Sequence, residues 1–266
     1  MQDQKPVKVS VVTPVLNGAR FLRETVESVL CQEGDFELEY IIRDGGSTDG
    51  TLDLLKAYQD RCLICSARDG SPRQAINTGM QQATGTICGW LNADDLLEPG
   101  ALQTVVTAMA AHPRRSWCYG RCCIVDENGQ TIRKAITGYK NLLGLVYSRN
   151  LLLTENYINQ PATFWTHELW NEIGGIQGSQ KACFDYELWL KMGARSRPVV
   201  IRRYLARFRR HPSSISENCY PQQFREELAI AARYGKWPHV WLHYLTMRKI
   251  TLIYGLLNRR AKRGEA

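Results

Sequence analysis

The sequence predicts an α/β fold with a mostly parallel central sheet flanked by helices, and three observations lead to this prediction. Short apolar segments alternate with amphipathic stretches along residues 7–111, at the pitch typical of strand–helix–strand units. The short segments are apolar throughout, as strands are when helices cover both faces of a sheet. The 266 residues, of which 44% are apolar and 23% charged, have the composition of a globular protein.

Four predicted strands in the first half are each followed by a helix. The strands cover Val7–Pro14, Leu38–Arg43, Cys62–Ser66 and Thr86–Leu91. The helices cover Arg20–Gln32, Thr51–Gln59, Arg73–Ala83 and Pro99–Ala111. In the first helix, the apolar residues recur at helical spacing.

The alternation changes after Pro113. Trp117–Asp126 and Gln130–Ile136 flank Glu127-Asn128-Gly129, which is typical of a hairpin turn. Extended structure is predicted over Gln160–Trp165 and Pro198–Arg209, and helices over His167–Ile173, Phe184–Met192 and Pro221–Tyr234. We expect one continuous domain over 1–220, with a nucleotide-binding half over about 1–115 and an acceptor half over about 116–220, followed by a basic helical extension over 221–266.

The motifs, charge distribution and hydropathy of the sequence argue against several classes of function. The chain lacks the Gly-rich signatures of dinucleotide-binding and P-loop proteins. The net charge is +8, but the basic residues cluster at the C-terminus without a recognition motif, so nucleic-acid binding is an alternative hypothesis and no nucleic-acid partner is predicted. No stretch of about 18 uncharged apolar residues and no signal-peptide pattern is visible, so we expect a cytoplasmic protein.

The nine cysteines lie mostly in apolar segments, as small buried side chains do in a reducing compartment. A metal site built from Cys62, Cys65 and Cys122 or Cys123 is the alternative. It is not favoured, because the pair lies in a strand-like segment without a matching second pair.

Polar residues follow all four strands of the first half. The strand ends carry Thr13-Pro14-Val15-Leu16-Asn17, the stretch from Asp44 to Gly50, Asp69-Gly70-Ser71, and Asn92-Ala93-Asp94-Asp95. The carboxyl ends of parallel strands meet at one edge of a sheet, where α/β proteins bind ligands. The sequence therefore predicts an acidic crevice at that edge.

Two adjacent carboxylates, Asp94 and Asp95, directly follow an apolar strand. A hard divalent cation that bridges a diphosphate would offset their repulsion, and Mg²⁺ or Mn²⁺ takes one or two protein carboxylates in such sites. The pattern favours a metal role for Asp94. For Asp95, a helix or turn cap explains the residue equally well.

The chain resembles an inverting family-2 glycosyltransferase with the GT-A fold. The resemblance rests on VSVVTPVLNGARFLRETVESVLCQ, IIRDGGSTDGT, DGSPRQAINTGMQQATGTICGWLNADDLLEPGAL, QPATFW, FDYELWLK and RRHPSSIS, and covers roughly residues 7–216. It implies transfer of a sugar from a nucleotide-diphosphate donor, a UDP-sugar, with a divalent metal as cofactor.

The resemblance also implies roles for individual residues on the donor side. Thr13 and Pro14 would line the base and Asp44 would bind it, while Asp69 with Arg73 would close the base and ribose pocket. Asn17 belongs to the same predicted site. Asp94 would hold the metal. Asn92 stands where the family commonly has an acid, and its amide could contact ribose or a metal-bound water. Because Asn92 carries no charge, the affinity for the metal would be lower than with an acid at this position.

Asp185 matches the family's catalytic base. Inverting transfer requires a carboxylate that takes the proton of the acceptor hydroxyl. A helix N-cap is the alternative for Asp185. Glu187 lies two residues on, where a helix turns it to another face, so the two should not act as a dyad and Glu187 is a supporting residue at most.

His211 is a further predicted ligand of the metal or the diphosphate, with a plain packed or surface residue as the alternative. The neighbouring arginines fit either a solvated strand face or diphosphate clamps. Gln160 and Trp165 would border the acceptor, and Trp165, Trp170 and Trp189 suit either sugar stacking or the core.

The C-terminal segment combines an apolar, aromatic face with basic residues, which is typical of a helix on an anionic membrane surface; packing on the catalytic domain is the alternative. The predicted function is therefore transfer of a sugar to a saccharide or lipid-linked saccharide in cell-surface polysaccharide synthesis, in the cytoplasm and peripherally on the inner face of the membrane. A non-catalytic relative that binds a nucleotide sugar is the alternative suggested by Asn92.

Overall fold

The computed structural model describes residues 6–178, 182–212, 214 and 220–249. Nine strands form one sheet in the order β3-β2-β1-β4-β8-β6-β9-β5, with β7 paired to β6. The strands are β1 (Val7–Val15), β2 (Phe36–Asp44), β3 (Leu63–Ser66), β4 (Ile87–Trp90), β5 (Leu96–Leu97), β6 (Trp117–Val125), β7 (Thr131–Ile132), β8 (Thr163–Thr166) and β9 (Val199–Arg209).

Helices cover both faces of this sheet. They are α1 (Ala19–Leu30), α2 (Thr51–Leu55), α3 (Pro72–Gln82), α4 (Ala101–Ala110), α5 (Lys134–Leu143), α6 (Arg149–Thr154), α7 (His167–Ile173), α8 (Phe184–Arg195), α9 (Tyr220–Tyr234) and α10 (237–249). Single turns of 3₁₀-helix lie at Lys56–Tyr58 and Gln160–Ala162.

The core has two parts, one on each face of the sheet. Residues of α1, α2 and α4 pack on one face, and residues of α3, α6, α7, α8 and α9 pack on the other. All four residues of β4 are buried between them. The continuous apolar character of the first strands thus follows from their cover on both sides, as the sequence predicts.

The α/β class is confirmed, and the sheet is mixed. β1 pairs in parallel with β2 and β4, and β2 with β3, as predicted for the first half. In the second half, β8 runs antiparallel to both β4 and β6, whereas β6 and β9 are parallel. β8 therefore joins two parallel groups of strands that run in the same direction.

The predicted strand over Gln130–Ile136 is wrong beyond Ile132. Arg133 adopts a left-handed conformation with φ of 51°, which ends the strand. The amides of Ile136 and Thr137 then bond to the Arg133 carbonyl and begin α5. Helix α6 and the 3₁₀ turn at Gln160–Ala162 lie in stretches where the sequence predicts loop or extended structure.

Candidate active site

The carboxyl ends of β1, β2, β3, β4, β6 and β9 lie at one edge of the sheet, because β8 is antiparallel to both β4 and β6. The two halves of the chain therefore contribute loops to the same edge. The polar residues that the sequence places after the strands meet here, together with the residues that follow β9.

The loops after β1 and β2 hold each other in place. Asn17 Oδ1 accepts from the Thr48 amide at 2.9 Å, and the Asn17 amide donates to Ser47 Oγ at 2.7 Å. Asp49 Oδ2 accepts from the Ala19 amide at 3.0 Å, at the first residue of α1. Asn17 has a φ of 53°, a conformation that asparagine tolerates better than most residues. In this arrangement, Asn17 fixes the loop geometry.

Asp44 is fully buried and holds the loop that follows β2. Its carboxylate accepts from Ser66 Oγ at 2.6 Å and from the amides of Gly46 and Ser47 at 3.0–3.3 Å. Burial alone would raise the pKa of Asp44, but the hydrogen bonds from Ser47 and Ser66 hold it below its usual value. The buried Asp44 carboxylate thus organises the loop after β2 from within.

Asp69 forms a buried ion pair with Arg43, with 2.8 Å between Arg43 Nη2 and Asp69 Oδ1. The second carboxylate oxygen, Asp69 Oδ2, is buried without a hydrogen-bond partner. Arg73, the second residue of α3, is half-buried a few residues further along the chain. Because an unpaired buried acceptor is costly, Asp69 Oδ2 is an atom to which a ligand could donate.

The prediction that Thr13 lines the base is wrong for its side chain. Thr13 is fully buried, and its hydroxyl bonds to the hydroxyl of Tyr40 at 2.9 Å, inside the core. Pro14 is also buried, beside Arg43 in the neighbouring strand. Every residue of β1 from Val9 to Val15 is buried, because helices cover both faces of the sheet at this strand.

Asp94 and His211 meet at the polar edge although 117 residues separate them. His211 Nε2 lies 3.1 Å from Asp94 Oδ2, and the Asp94 side chain is 30% exposed. The other ring nitrogen, His211 Nδ1, is buried without a partner, and the ring packs on Phe21 with centroids 4.7 Å apart. The pair that the sequence predicts as metal ligands is therefore brought together.

Asp95 lies away from the exposed edge, which corrects its predicted role as a metal ligand. It is fully buried, and its oxygens accept from the Arg209 amide at 2.9 Å and from Asn92 Nδ2 at 3.2 Å. Burial raises the pKa of Asp95 well above its usual value, and the neighbouring Asp94 raises it further. Asp95 acts as a turn residue that joins β4 to β9.

Arg209, one of the arginines that precede His211 in the sequence, is a buried component of the site. Its side chain has no exposed surface and donates to the Asp94 carbonyl at 2.9 Å and to Glu24 Oε2 at 2.7 Å. It also donates to the Glu127 carbonyl at 2.9 Å and lies over the Phe21 ring. Arg207 forms two bonds to Glu98, so neither arginine is a free diphosphate clamp.

Asn92 is hydrogen-bonded to the acceptor half. Its Nδ2 donates to Gln160 Oε1 at 3.0 Å, and Gln160 Nε2 donates to the Trp90 carbonyl at 2.7 Å. Gln160, predicted to border the acceptor, is thus also a neighbour of the donor-side motif.

Within the described part of the chain, no group of three or more His, Cys, Asp or Glu residues could hold a metal ion.

Asp185 occupies the first turn of α8 and is half-buried. Its Oδ1 accepts from the amide of Tyr186 at 2.8 Å. Burial, with a smaller contribution from the charge of Glu227, raises the pKa of Asp185 to about 6, although the hydrogen bond from the Tyr186 amide and the charge of Lys140 act in the opposite direction. A carboxyl with such a pKa takes and releases a proton near neutral pH.

Residues 10–167 match the family model for glycosyl transferase family 2. The chain belongs to this family. It is a glycosyltransferase with a GT-A-like fold. A related protein of Mycobacterium bovis, a glycosyltransferase of PGL/p-HBAD biosynthesis, is 26% identical over 260 residues, which cover 91% of this chain and 95% of that protein.

Other relatives are longer than this chain. A glycosyltransferase of Rickettsia felis is 25% identical over 198 residues, which cover 69% of this chain and 31% of that protein. The chain thus spans about a third of that relative, and about two thirds of the solved structure of Staphylococcus aureus TarS 1-349.

Solved structures support the same fold. TarS 1-349 in complex with UDP-GlcNAc superposes with a TM-score of 0.66 at 18% identity, covering 85% of this chain and 66% of that one. The mannosyltransferase PcManGT of Pyrobaculum calidifontis, in complex with GDP-Man and Mn²⁺, has a TM-score of 0.66 at 20% identity, covering 91% and 70%.

Two predicted acceptor-side residues of this glycosyltransferase are structural. Trp165 has no exposed surface and packs against Trp90, Trp170 and Trp189, so the prediction that it borders the acceptor is wrong. Glu187 is buried, and its carboxylate accepts from the Tyr234 hydroxyl at 2.8 Å and pairs with Arg233. Both residues fix the position of α8, on which Asp185 lies.

Helices α9 and α10 pack against the acceptor half of the glycosyltransferase. Glu226 accepts from the Ala182 amide at 3.0 Å, and buried His243 bonds to the Leu153 carbonyl at 3.0 Å. The outward side carries large exposed apolar residues, namely Trp237, Trp241, Leu242, Tyr244 and Leu245. No helix among the described residues is long and apolar enough to cross a membrane. The predicted basic tail after 249 lies outside the described residues.

Proposed function

We propose that this glycosyltransferase moves a sugar from a UDP-linked donor to a saccharide or lipid-linked saccharide acceptor in cell-surface polysaccharide synthesis, with inversion at the anomeric carbon. The pairing of Asp94 with His211 carries the proposal. It combines a partly exposed carboxylate and an imidazole at the edge where α/β proteins bind their ligands.

The residues at this edge fit a divalent cation of the Mn²⁺ or Mg²⁺ type. Asp94 and His211 are two suitable ligands, and such cations commonly take one or two protein ligands together with phosphate oxygens. Asn92 adds no charge, so the affinity for the cation would depend on the bound diphosphate. When bound, the cation would neutralise negative charge on the departing diphosphate.

The donor's nucleoside would lie in the crevice beside Asp44 and Asp69. Asp69 Oδ2 lacks a partner and is available to accept from a base N–H or a ribose hydroxyl, and Arg73 follows four residues later in the chain. Uracil has one such N–H, which matches a single free acceptor. TarS, which shares the fold, forms a complex with UDP-GlcNAc, and this supports the choice of UDP.

Asp185 would act as the single base of the transfer. In its ionised form it takes the proton of the acceptor hydroxyl while that oxygen attacks the anomeric carbon and the bond to the diphosphate breaks. The nearest acid along α8 does not compete, because Glu187 is bonded to Tyr234 and Arg233. One free carboxylate without a second nucleophile is what a single inverting displacement requires.

A membrane surface would bring the enzyme to a lipid-linked acceptor. Trp237 is 78% exposed and Trp241 is 55% exposed on one side of α10, and Arg248 and Lys249 follow on the same helix. Aromatic side chains beside cations match the interface of an anionic bilayer. The proposed location is thus the inner face of the cell membrane, without a spanning helix.

Calorimetric titration with UDP, in the presence and absence of Mn²⁺, tests the donor assignment. GDP and dTDP serve as controls for the base. We expect UDP to bind more tightly with Mn²⁺, and Asp94→Ala to abolish the effect of Mn²⁺ while leaving weak UDP binding. Asp60→Ala is the matched control, because it removes an exposed carboxylate that is not one of the candidate-site residues. It should bind UDP as the wild type does.

Two results would contradict the proposal. Tighter binding of GDP than of UDP would refute the donor base, and an unchanged response to Mn²⁺ in Asp94→Ala would refute the metal site. Loss of turnover in Asp185→Asn with UDP affinity retained would separate a catalyst from a protein that only binds the nucleotide sugar.

A further inference from the structure

A narrow cleft in the acceptor half is lined by three cationic side chains from three elements. Arg121 comes from β6, Lys140 from α5 and Arg202 from β9. Asn141 and Asn159 add neutral polar groups, and no Asp or Glu is among the lining residues. The cleft lies on the same side of the sheet as α8, since its residue Tyr119 packs in that part of the core.

The three cations have no compensating carboxylate in contact. In the described part of the chain, none of them forms an ion pair, and Arg121 Nε is buried without a hydrogen-bond partner. Like charges that line one cleft repel each other, and burial of an unpaired guanidinium nitrogen costs further free energy. An anion between them would relieve both effects.

One residue that lines the cleft is directly followed in the chain by a residue that bonds to the donor-side motif. Asn159 lines it, and the next residue, Gln160, bonds to Asn92 beside the Asp94–His211 pair. The charge of Lys140 also acts on the carboxyl of Asp185. A group bound in the cleft therefore lies next to the place where the acceptor hydroxyl must be presented.

We propose that Arg121, Lys140 and Arg202 form an anion subsite that binds a phosphate group of the acceptor. Guanidinium groups match phosphate oxygens with paired hydrogen bonds, and three positive charges suit a phosphate better than a single carboxylate. The cleft itself encloses only about 10 Å³, so the phosphate would bind at its mouth, where Arg202 is exposed, and a whole nucleotide would not enter. The inference rests on the proposed glycosyl transfer and specifies the chemical class of its acceptor.

Titration calorimetry with methyl phosphate tests the subsite in the full chain. We compare the wild type with Lys140→Gln/Arg202→Gln and with Lys134→Gln/Arg203→Gln. The second variant removes the same two charges from the same two elements, but Lys134 is exposed and Arg203 bonds to Thr104 on the opposite face. Any methyl phosphate that binds in the donor crevice would do so equally in all three proteins. The difference in affinity between the two variants therefore reports binding in the cleft alone.

We expect the affinity for methyl phosphate to fall at least about tenfold in Lys140→Gln/Arg202→Gln and to stay unchanged in Lys134→Gln/Arg203→Gln, with UDP affinity retained in both. Equal affinities in the two variants would overturn the proposal. Binding of phosphatidic acid vesicles that is lost only in Lys140→Gln/Arg202→Gln, while methyl phosphate affinity is unchanged, would also overturn it, because the cleft would then take a lipid headgroup. Failure of the wild type to bind UDP would refute the donor assignment alone.

Discussion

The backbone amide of Arg209 donates to Asp95 Oδ1 at 2.9 Å, and both residues are fully buried. This bond joins the end of β9 to the turn after β4. The Arg209 side chain continues the connection to the Asp94 carbonyl, so two contacts hold the backbone that presents Asp94. His211, two residues beyond Arg209, is placed by the same junction.

Replacing Arg209 with methionine should lower both stability and metal-dependent nucleotide affinity. The variant leaves the carbonyls of Asp94 and Glu127 without their donor, which should cost about 3 kcal/mol of unfolding free energy. We expect UDP to bind with little or no benefit from Mn²⁺. Urea unfolding and calorimetry measure the two effects.

Arg207→Met is the matched control for Arg209→Met. It removes the same kind of side chain from the same strand, but the Arg207 side chain is 40% exposed and pairs with Glu98 near the surface. Its cost should stay below about 1 kcal/mol. Equal destabilisation by the two variants would contradict the role assigned to Arg209.

The activity of the enzyme should rise with pH up to about neutrality. Burial raises the pKa of Asp185 to about 6, and only the ionised carboxylate can take a proton. The rate should therefore increase about tenfold per pH unit below the pKa and level off above it. Initial rates of sugar transfer between pH 5 and 8 measure the profile; a rate that does not change over this range would argue against Asp185 as the base.

Asp185→Asn should abolish turnover and stabilise the fold at pH 7.5. Because the folded-state pKa is raised, the folded protein holds this proton more tightly than the unfolded chain, and the wild type loses stability as the pH rises from about 4 to about 6. The asparagine carries no charge and avoids that loss. We expect kcat to fall by about 10²–10⁴-fold, and the urea midpoint at pH 7.5 to rise. A lower midpoint would contradict the assigned pKa shift.

The first half of the fold could be predicted from sequence because its signals are local. The strand segments are uniformly apolar and the amphipathic helices follow at short distance, so the pattern itself specifies the parallel order. Helix α5 could not be predicted in this way, since it buries only Thr137 among its residues and follows a hairpin signal directly. Its start depends on the left-handed conformation of Arg133.

The site shows a similar division between local and distant contacts. Asp94 and His211 could be predicted as partners only through the family resemblance, which brings distant motifs together. For Asp95 the sequence leaves a metal role and a cap equally open, because its partner, the Arg209 amide, lies 114 residues away. Trp165 has an aromatic side chain of the kind that stacks on sugars. Only the packing of α8 against β8 shows that the core surrounds it.

Asp44→Asn should destabilise the protein at neutral pH, opposite to Asp185→Asn. Hydrogen bonds from Ser47 and Ser66 hold the pKa of Asp44 below its usual value despite burial. The stabilisation is therefore present above the unfolded-state pKa of about 3.9 and is lost as the pH falls through the lower folded-state pKa. We expect a cost of about 1–3 kcal/mol at pH 7 together with weaker UDP binding. Asp53→Asn, on the exposed surface of α2, is the control and should leave the urea midpoint unchanged.

Trp237→Ser/Trp241→Ser should weaken binding to anionic vesicles without changing the stability of the fold. The two side chains are 78% and 55% exposed, so they contribute little to the core. Their insertion into a bilayer interface should supply more than about 1.4 kcal/mol, and its loss should lower vesicle affinity at least about tenfold. Val146→Ser, at a residue that is 66% exposed outside α10, is the control for loss of a surface apolar side chain. Co-sedimentation with phosphatidylglycerol vesicles at low and high salt measures the effect. If the Trp variant and the Val146→Ser control sediment with the vesicles to the same extent, the exposed side of α10 does not bind membranes.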